Sequence, residues 1–229
     1  MKNDIINIGL PSKGRLKENT LKIFKRKKLN ITSERGERDL FGYIKKLPNT
    51  KIIYLHAREC IEQLSLGNID IGFSGYDLLR ESEFNIQKNI LIKKRLNFGH
   101  ATVVLAIADL WLDVQTLLDL DEVADEFKKK KKRLLRVATK YPNLTRQFLY
   151  SKGVTQFQLV QSLGSTEVSP FTGTAEIISD ITSTGATLKA NNLRVLKDGE
   201  ILKSQACLMQ SKLSNKKAGI KKIISLLSK

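Results

Sequence analysis

The chain has 229 residues, of which 41% are hydrophobic, 28% are charged and only 4 are proline. This composition is typical of a folded protein, excludes a disordered or fibrous chain, and leaves open one large domain or two smaller ones. No run reaches the roughly 18 uncharged apolar residues of a membrane span, and the N-terminus lacks the apolar stretch of a signal peptide, so we expect a cytoplasmic protein without a membrane partner.

The formal net charge of +17 raises the question of a nucleic-acid partner. Two segments hold most of this charge: Lys128–Arg133 carries six cations, and residues 212–229 carry six more without an acid. Aromatic residues do not interleave with either segment, as a surface for single strands would favour. A solvated loop or helix end therefore explains Lys128–Arg133, to which we assign no function, and we expect no nucleic-acid partner.

Apolar runs of strand length alternate with helical patterns, which predicts an α/β protein with largely parallel sheets. Strands are predicted at Ile5–Leu10, Lys51–Leu55, Ile69–Gly75, Ala101–Ala108, Leu135–Lys140, Phe157–Ser162, Ala175–Ile181, Leu193–Leu196 and Glu200–Met209. Helices are predicted at Arg15–Lys28, at Ala57–Leu66 up to the stop signal Gly67, through Phe127, near Asn143–Ser151 and from Lys216. In the last helix, four apolar residues at helical spacing predict packing on the body: Ile220, Ile223, Ile224 and Leu227.

Single cysteines and histidines indicate no metal site. Cys60 and Cys207 form no CxxC motif, so we expect buried free thiols. His56 and His100 have no partner at a metal-ligand spacing, so we expect hydrogen-bonded structural histidines.

The segment Ile178–Leu188, ISDITSTGATL, combines an acid, several hydroxyls and a glycine. A buried strand followed by a polar turn and a helix start points backbone N–H groups at one spot, which favours phosphate. Gly185 lets the backbone approach an anion, and Asp180 lies where a carboxylate accepts hydrogen bonds from ribose hydroxyls. A helix start capped by one hydroxyl explains the same pattern, so both interpretations remain open from the residues alone.

The motif DITSTGATL resembles the phosphoribosyl-pyrophosphate (PRPP) loop of phosphoribosyltransferases, an acid followed by TGxTL. Ser179 stands where the common type I enzymes carry a second acid. Further segments, in the same order, are similar to the ATP phosphoribosyltransferase family: GLPSKGRL, GNIDIGFSGYDLL, NFGHATVVLA, RVATKYPNLTRQF, GSTEVSPFTGTAEIISDITSTGATLKANNL and ILKSQACL. A coincidental match of so many separated motifs is not expected.

The resemblance implies two α/β domains like those of a type II periplasmic binding protein, with the active site in the cleft between them. Domain I would comprise residues 1–98 and 189–229, and domain II residues 99–188 with the PRPP loop. It also implies the short form of the enzyme, which lacks a C-terminal regulatory domain and works with a separate regulatory subunit resembling histidyl-tRNA synthetase. The catalytic subunit itself would be oligomeric.

The reaction implied is transfer of the 5-phosphoribosyl group of PRPP to N1 of ATP, giving N1-(5-phosphoribosyl)-ATP and pyrophosphate, the first step of histidine biosynthesis. Mg²⁺ would be held mainly by substrate oxygens and water, without dedicated protein ligands. By motif position, the PRPP-binding residues would be Asp180, Thr182, Ser183, Thr184, Gly185, Ala186 and Thr187. The residues for pyrophosphate and ATP would be Lys13, Arg15, Arg35, Arg58, Ser74, Gly75, Lys140, Tyr141 and Glu167.

Each assignment has a structural alternative. The arginines are also explained as solvated charges, Tyr141 as a packing residue and Glu167 as a helix-capping acid.

Two other classes of protein stay open as well. A solute-binding protein would show the same alternation but needs an export signal and no PRPP loop, and a nucleic-acid-binding protein would use the net charge.

Overall fold

The computed structural model describes residues 5–33, 40–215 and 217–228, and Arg35 lies outside them. Contacts divide the chain into two compact units. Unit 1 extends up to Gly99 and resumes at Gln205, and unit 2 comprises His100–Ser204. The prediction of an α/β chain with two domains is therefore confirmed.

Strands and helices alternate in both units. The strands are β1 (Ile6–Pro11), β2 (Ile31–Thr32), β3 (Phe41–Ile44), β4 (Thr50–Leu55), β5 (Ile71–Gly75), β6 (Ile90–Arg95), β7 (Ala101–Ala108), β8 (Leu135–Thr139), β9 (Phe157–Gln161), β10 (Ile177–Thr182), β11 (Leu193–Ser204) and β12 (Ala206–Ser211). The helices are α1 (Gly14–Arg26), α2 (Ala57–Leu66), α3 (Tyr76–Glu81), α4 (Phe84–Gln87), α5 (Leu117–Lys131), α6 (Pro142–Ser151), α7 (Ala186–Ala190) and α8 (Ile220–Ser228). Within the described residues, no helix is long and apolar enough to cross a bilayer.

The described strands of unit 1 form one sheet in the order β2-β3-β4-β1-β5-β12-β6. Only the pairs of β1 with β4 and with β5 are parallel, and the other neighbours are antiparallel. The expectation of largely parallel sheets is therefore wrong outside the sheet centre. Ile8, Leu10, Ile71 and Phe73 are fully buried there, so the parallel strands also form the core.

The sheet of unit 2 has the order β11-β7-β10-β8-β9 among the described strands. Strands β10, β8 and β9 are parallel, whereas β7 pairs antiparallel with β10 and β11. Strand β11 pairs with β7 from Leu193↔Ala108 to Ser204↔Ala101. Because of this pairing, contacts place the return from unit 2 between Ser204 and Gln205, whereas the resemblance implied a return near Leu188.

The last helix is tied to the sheet of unit 1. Ile220, Ile223, Ile224 and Leu227 are buried, so the predicted packing of this helix is confirmed. Just before α8, Lys217 donates to the fully buried carboxylate of Asp70 over 2.9 Å.

Asp70 binds two further groups besides Lys217. Its carboxylate accepts the backbone N–H of Asn7 over 2.7 Å and the hydroxyl of Ser214. A buried carboxylate with three donors compensates its desolvation, and it joins the start of the chain to its end.

The lysine run forms the end of helix α5. Lys128, Lys129, Lys130 and Lys131 lie in its last turn, and Lys132 ends the helix with a φ of 54°. Cations are favourable at this negative end of the helix dipole, so the run has a structural explanation.

The two cysteines are buried free thiols, as predicted, and burial raises the pKa of Cys60 to about 12 and that of Cys207 to about 11.

Arg133, which completes the run, belongs to an ion cluster around Glu176. The guanidinium of Arg133 contacts both carboxylate oxygens of Glu176, over 3.1 and 2.8 Å. Arg136 donates to the same carboxylate from its backbone over 2.8 Å and from Nη2 over 2.7 Å. Burial opposes ionisation, but the hydrogen bonds from Arg136 and Arg133 outweigh it and lower the pKa of Glu176 to about 2.

Replacing Glu176 should lower stability in a pH-dependent way. Because the folded-state pKa is depressed, the carboxylate stabilises the fold above its ordinary pKa of 4.5, and this contribution is lost as the pH falls toward 2. We expect Glu176→Gln to reduce the free energy of unfolding by about 2 kcal/mol at neutral pH and by less at pH values below 4.5, measured by urea titration.

Glu126→Gln is the matched control, because Glu126 forms an exposed pair with Lys130 in the described part of the chain. It should change the free energy of unfolding by less than about 0.5 kcal/mol. An equal effect of both substitutions at neutral pH would contradict a special role of the Glu176 cluster.

Candidate active site

The parallel strands of unit 1 bring several predicted residues to one edge of the sheet. Strands β1, β4 and β5 have the same direction, so their carboxyl ends lie side by side. The backbone N–H of Ser12 donates to the carbonyl of Leu55 over 2.8 Å, which joins the turns after β1 and β4. The residues placed along this edge are Lys13, Arg15, Arg58, Ser74 and Gly75.

The turn after β1 leads directly into α1. Lys13 is the N-cap residue, and its side chain forms no capping hydrogen bond. The first turn contains no acid, and the side chains of Lys13 and Arg15 are exposed. A helix start with a positive dipole end and two adjacent cations favours an anionic ligand over a cationic one.

The turn after β4 is organised by His56. Its ring nitrogen accepts the backbone N–H of Arg58 over 3.4 Å and so caps α2. The prediction of a hydrogen-bonded structural histidine is confirmed for His56. The Arg58 side chain is exposed at the start of this helix.

Ser74 and Gly75 have separate structural tasks at the end of β5. The Ser74 hydroxyl is fully buried and donates to the backbone carbonyl of Ala57 over 2.7 Å, which holds α2 against β5. A Cβ atom on Gly75 would clash with Oδ1 of Asp77, so a larger residue would require the Asp77 side chain to move. The sequence indicated both positions but not these contacts.

Unit 2 repeats the arrangement with β8, β9 and β10, whose carboxyl ends also share one edge. Lys140 and Tyr141 follow β8, and the loop Thr182–Thr187 closes β10. Glu167 lies in a short 3₁₀ turn at Thr166–Val168, after β9. All the residues predicted for unit 2 therefore lie at one edge.

The loop after β10 combines a tight turn with exposed polar groups. Gly185 has a φ of 74°, a left-handed conformation that favours glycine, and it precedes the five residues of α7. The Thr182 hydroxyl accepts the N–H of Gly185 over 2.9 Å, and the Thr184 hydroxyl accepts that of Ala186 over 3.3 Å. Two hydroxyls therefore bond within the turn, whereas the N-cap residue of α7 is Gly185, which supplies no capping side chain. The exposed side chains of the loop are Ser183, Thr184, Ala186 and Thr187.

Asp180 lies between charges of both signs. Burial raises the pKa of its carboxyl, and the nearby carboxylate of Glu167 acts in the same direction. The N–H of Ile181, which donates over 2.8 Å, the charge of Lys140 and the Thr166 hydroxyl oppose this rise. The carboxylate is therefore influenced by the charges of Glu167 and Lys140 and accepts the N–H of Ile181.

A buried cluster of hydroxyls lies beneath this edge: Thr139 at the end of β8, Thr145 in α6 and Ser179 in β10. The Thr145 hydroxyl lies 2.8 Å from that of Ser179 and 3.3 Å from that of Thr139. It also lies 2.7 Å from the carbonyl of Tyr141, whose N–H donates to Thr139 over 2.8 Å. The cluster thus forms hydrogen bonds with both the backbone N–H and the backbone carbonyl of Tyr141.

Ser179 explains the single acid of the motif, because its side chain is fully buried among these hydroxyls. A second carboxylate at this position would be desolvated beside neutral groups.

Among the described residues, no group of three or more His, Cys, Asp or Glu is arranged to hold a metal ion.

The two sheets, their order and the helices between them define a two-domain α/β protein of the type II periplasmic-binding-protein kind. The probable amino-acid ABC transporter extracellular-binding protein ytmK from Bacillus subtilis has a TM-score of 0.54 at 13% identity, covering 97% of this chain and 88% of its own. The P235GK mutant of ArgBP from Thermotoga maritima has a TM-score of 0.53 at 12% identity, covering 97% of this chain and 86% of its own. These similarities show the fold alone.

Within this class, the chain belongs to the ATP phosphoribosyltransferase family, whose sequence model matches residues 56–229. An ATP phosphoribosyltransferase from Mesorhizobium japonicum is 46% identical over 209 residues, which are 91% of this chain and 90% of that protein. The ATP phosphoribosyl transferase (HisG:HisZ) complex from Thermotoga maritima has a TM-score of 0.72 at 26% identity, covering 97% of this chain and 94% of that one. The predicted family and fold class are confirmed.

Another relative is longer than this chain. An ATP phosphoribosyltransferase from Nitrobacter winogradskyi is 49% identical over 205 residues, which are 90% of this chain. The match spans only 63% of the length of that relative.

Removing the Thr145 hydroxyl should destabilise unit 2. Thr145→Val keeps the shape of the side chain but leaves the buried Tyr141 carbonyl and Ser179 hydroxyl without this partner. We expect a loss of about 2 kcal/mol in the free energy of unfolding, measured by urea titration. The same change at the exposed Thr155 should alter it by less than about 0.5 kcal/mol, and equal effects would contradict the role of the cluster.

Proposed function

We propose that the chain transfers the 5-phosphoribosyl group of PRPP to N1 of ATP, giving N1-(5-phosphoribosyl)-ATP and pyrophosphate, as a cytoplasmic enzyme of histidine biosynthesis. The observation that supports this most directly is the largely exposed Thr182–Thr187 loop, which begins two residues after Asp180 at the shared edge of three parallel strands. Membership of the family supports the same reaction.

We assign PRPP to the edge of unit 2. The loop Thr182–Thr187 would bind the 5-phosphate through backbone N–H groups and the exposed hydroxyls. The N–H groups of Gly185 and Ala186, which now donate to the Thr182 and Thr184 hydroxyls, would then donate to phosphate oxygens instead. Asp180 would accept hydrogen bonds from the ribose hydroxyls, and the N–H of Ile181 would orient its carboxylate for this role.

We assign the phosphates of ATP and the leaving pyrophosphate to cationic groups. In unit 1 these are Lys13 and Arg15 at the open start of α1, Arg58 at the start of α2, and Arg35 outside the described residues. Guanidinium groups suit such oxygens because they donate two parallel hydrogen bonds. The remaining assignments are Ser74 and Gly75 through their backbone, and Lys140, Tyr141 and Glu167 in unit 2.

The reaction needs charge stabilisation more than acid-base chemistry. Attack by adenine N1 on C1 of the ribose breaks the bond to pyrophosphate, so positive charge develops on the ribose ring and negative charge on the leaving group. Asp180 would stabilise the positive charge on the ribose ring, and the cations would stabilise the negative charge on the leaving pyrophosphate. Mg²⁺, held mainly by pyrophosphate oxygens and water, would neutralise further negative charge, and the neighbouring carboxylates of Asp180 and Glu167 suit its preference for oxygen.

We also propose that the chain is a catalytic subunit of the short form and assembles with a regulatory subunit resembling histidyl-tRNA synthetase. The support is the similarity to the chain from the Thermotoga maritima HisG:HisZ complex. The catalytic subunit would itself be oligomeric.

The proposed activity is tested by incubating the purified protein with ATP, PRPP and Mg²⁺, with and without the regulatory subunit. We expect phosphoribosyl-ATP, and no product under either condition from a folded protein would sink the proposal. Amino-acid binding without turnover would favour a solute-binding protein. Binding to duplex or single strands that weakens steeply with salt would favour a nucleic-acid-binding protein.

Asp180→Asn should separate activity from stability. Burial disfavours the ionised carboxyl in the folded state, so the neutral amide should leave the free energy of unfolding unchanged or higher. We expect kcat/KM for PRPP to fall roughly 10- to 100-fold, because hydrogen bonds from the ribose to a charged acceptor are lost. Unchanged steady-state kinetics would refute the assignment of Asp180.

Gly185→Val should impair PRPP use through backbone strain, because valine disfavours a φ of 74°. The matched control is Gly153→Val, since Gly153 has a φ of 86° and, like Gly185, has open space where a Cβ atom would lie. Both variants should lose similar stability, but only Gly185→Val should raise KM for PRPP. Equal kinetic effects would show that strain alone is responsible.

A further inference from the structure

A cavity of about 410 Å³ lies at the amino ends of β1 and β4, where Ile6 pairs with Thr50. The residues of unit 1 that we assign to substrates follow the carboxyl ends of these strands and of β5. A strand of six residues, such as β1, spans roughly 17 Å between its two ends. The cavity is therefore separate from the candidate active site, and its volume lies in the range of small-molecule sites, about 300–1,000 Å³.

The inner wall of this cavity is apolar. Ile6 and Ile223 line it and are buried, and Leu47 lines it and is half-buried. All three residues belong to the core of unit 1 or pack against it. Such a wall favours a ligand with an apolar body, because contact with the wall removes the apolar surface of the ligand from water.

The turn between β3 and β4 forms one side of the cavity and is fixed by backbone hydrogen bonds. The N–H of Leu47 donates to the carbonyl of Ile44 over 2.9 Å, and the N–H of Thr50 donates to that of Leu47 over 3.0 Å. The N–H of Ile6 donates to the carbonyl of Asn49 over 2.8 Å, which joins the turn to β1. This side of the cavity is therefore formed before any ligand binds.

The start of α8 forms the other side of the cavity. Lys217, which precedes α8, donates to the carboxylate of Asp70 over 2.9 Å and to the carbonyl of Ile5 over 3.1 Å. These bonds hold the helix start against β1. Because both sides are held in place, a ligand does not have to order them, and less of its binding free energy is lost.

The charged side chains that line the cavity are two lysines, Lys46 and Lys222. Both are exposed, and neither forms an ion pair within the described part of the chain. The lining among the described residues includes no Asp or Glu. Their positive charge is therefore not compensated by the cavity itself, and it favours an anionic group on the ligand.

We propose that this cavity binds a small amphipathic carboxylate. Its apolar body packs on Ile6, Leu47 and Ile223, and its carboxylate contacts Lys46 and Lys222. A phosphate group fits less well, because the apolar wall offers no donors to most of its oxygens. A cationic ligand would be repelled by the lysines.

A second cavity of the same unit supplies a comparison. It has a volume of about 480 Å³ and is also lined by two lysines, Lys93 and Lys221. Its other lining residues are mostly polar, among them Gln210, Asn215 and Ser225. The two cavities thus have the same charge but different walls, so variants of the second are matched controls for the first.

The test uses the full chain and two probes of the same shape, 4-(trifluoromethyl)benzoate and the neutral 4-(trifluoromethyl)benzamide, in ¹⁹F NMR titrations at about 150 mM salt. We expect the benzoate to bind about fivefold more tightly than the benzamide, because only the carboxylate forms ion pairs with the lysines. Lys46→Gln/Lys222→Gln should remove this difference by weakening the benzoate alone. Lys93→Gln/Lys221→Gln removes the same charge from the second cavity and should change neither affinity.

A further variant tests the apolar wall. Ala218 lines the first cavity and is exposed, so a larger side chain at this position takes up space in the cavity and not in the core. Ala218→Phe should therefore weaken the binding of both probes by a similar factor. Circular dichroism of each variant should match that of the wild type.

Four results would overturn the proposal: no binding of either probe at about 10 mM, equal affinities of the wild type for both, unchanged binding by Lys46→Gln/Lys222→Gln, or an equal loss in the Lys93→Gln/Lys221→Gln control. Binding of the benzoate that survives in Ala218→Phe would contradict the position of the site. The titrations contain no PRPP or ATP, so their outcome does not depend on the proposed enzymatic activity.

Discussion

Parallel strand direction is the constraint on which the candidate site depends. In each unit, three neighbouring parallel strands end at one edge, and the turns that follow them carry almost all the residues assigned to substrates. Since α/β proteins bind ligands outside the carboxyl ends of their strands, this position is the expected one. The antiparallel strands β7, β11 and β12 extend the sheets without adding an assigned residue.

Much of the parallel framework could be predicted from the sequence, because buried strands appear as uninterrupted apolar runs. The strand at Ala101–Ala108 and the helix at Ala57–Leu66 are confirmed with the same bounds. Strand β3 was missed because it has only four residues, one of them a glycine, and β6 was missed because three successive cations follow its apolar residues. The antiparallel position of β12 between β5 and β6 depends on pairing over long sequence distances, which local patterns do not encode.

The candidate site was predictable where a turn has its own chemistry. The acid, hydroxyls and glycine of the loop after β10 occur together in the sequence, and the structure places them at a strand end. The supporting contacts were not predictable, because they join distant segments. Ser74 bonds to Ala57, and Thr145 bonds to Ser179, through hydroxyls that resemble any other serine or threonine in the sequence.

The position of β12 has a consequence for the order of folding. Unit 2 is continuous in sequence, and all of it leaves the ribosome before β12 does. The first part of unit 1 is synthesised earlier but lacks the strand that belongs between β5 and β6. During translation, unit 2 can therefore complete its core while unit 1 still exposes an unfilled gap in its sheet. Chaperone dependence should accordingly be concentrated in the earlier-made half of the chain.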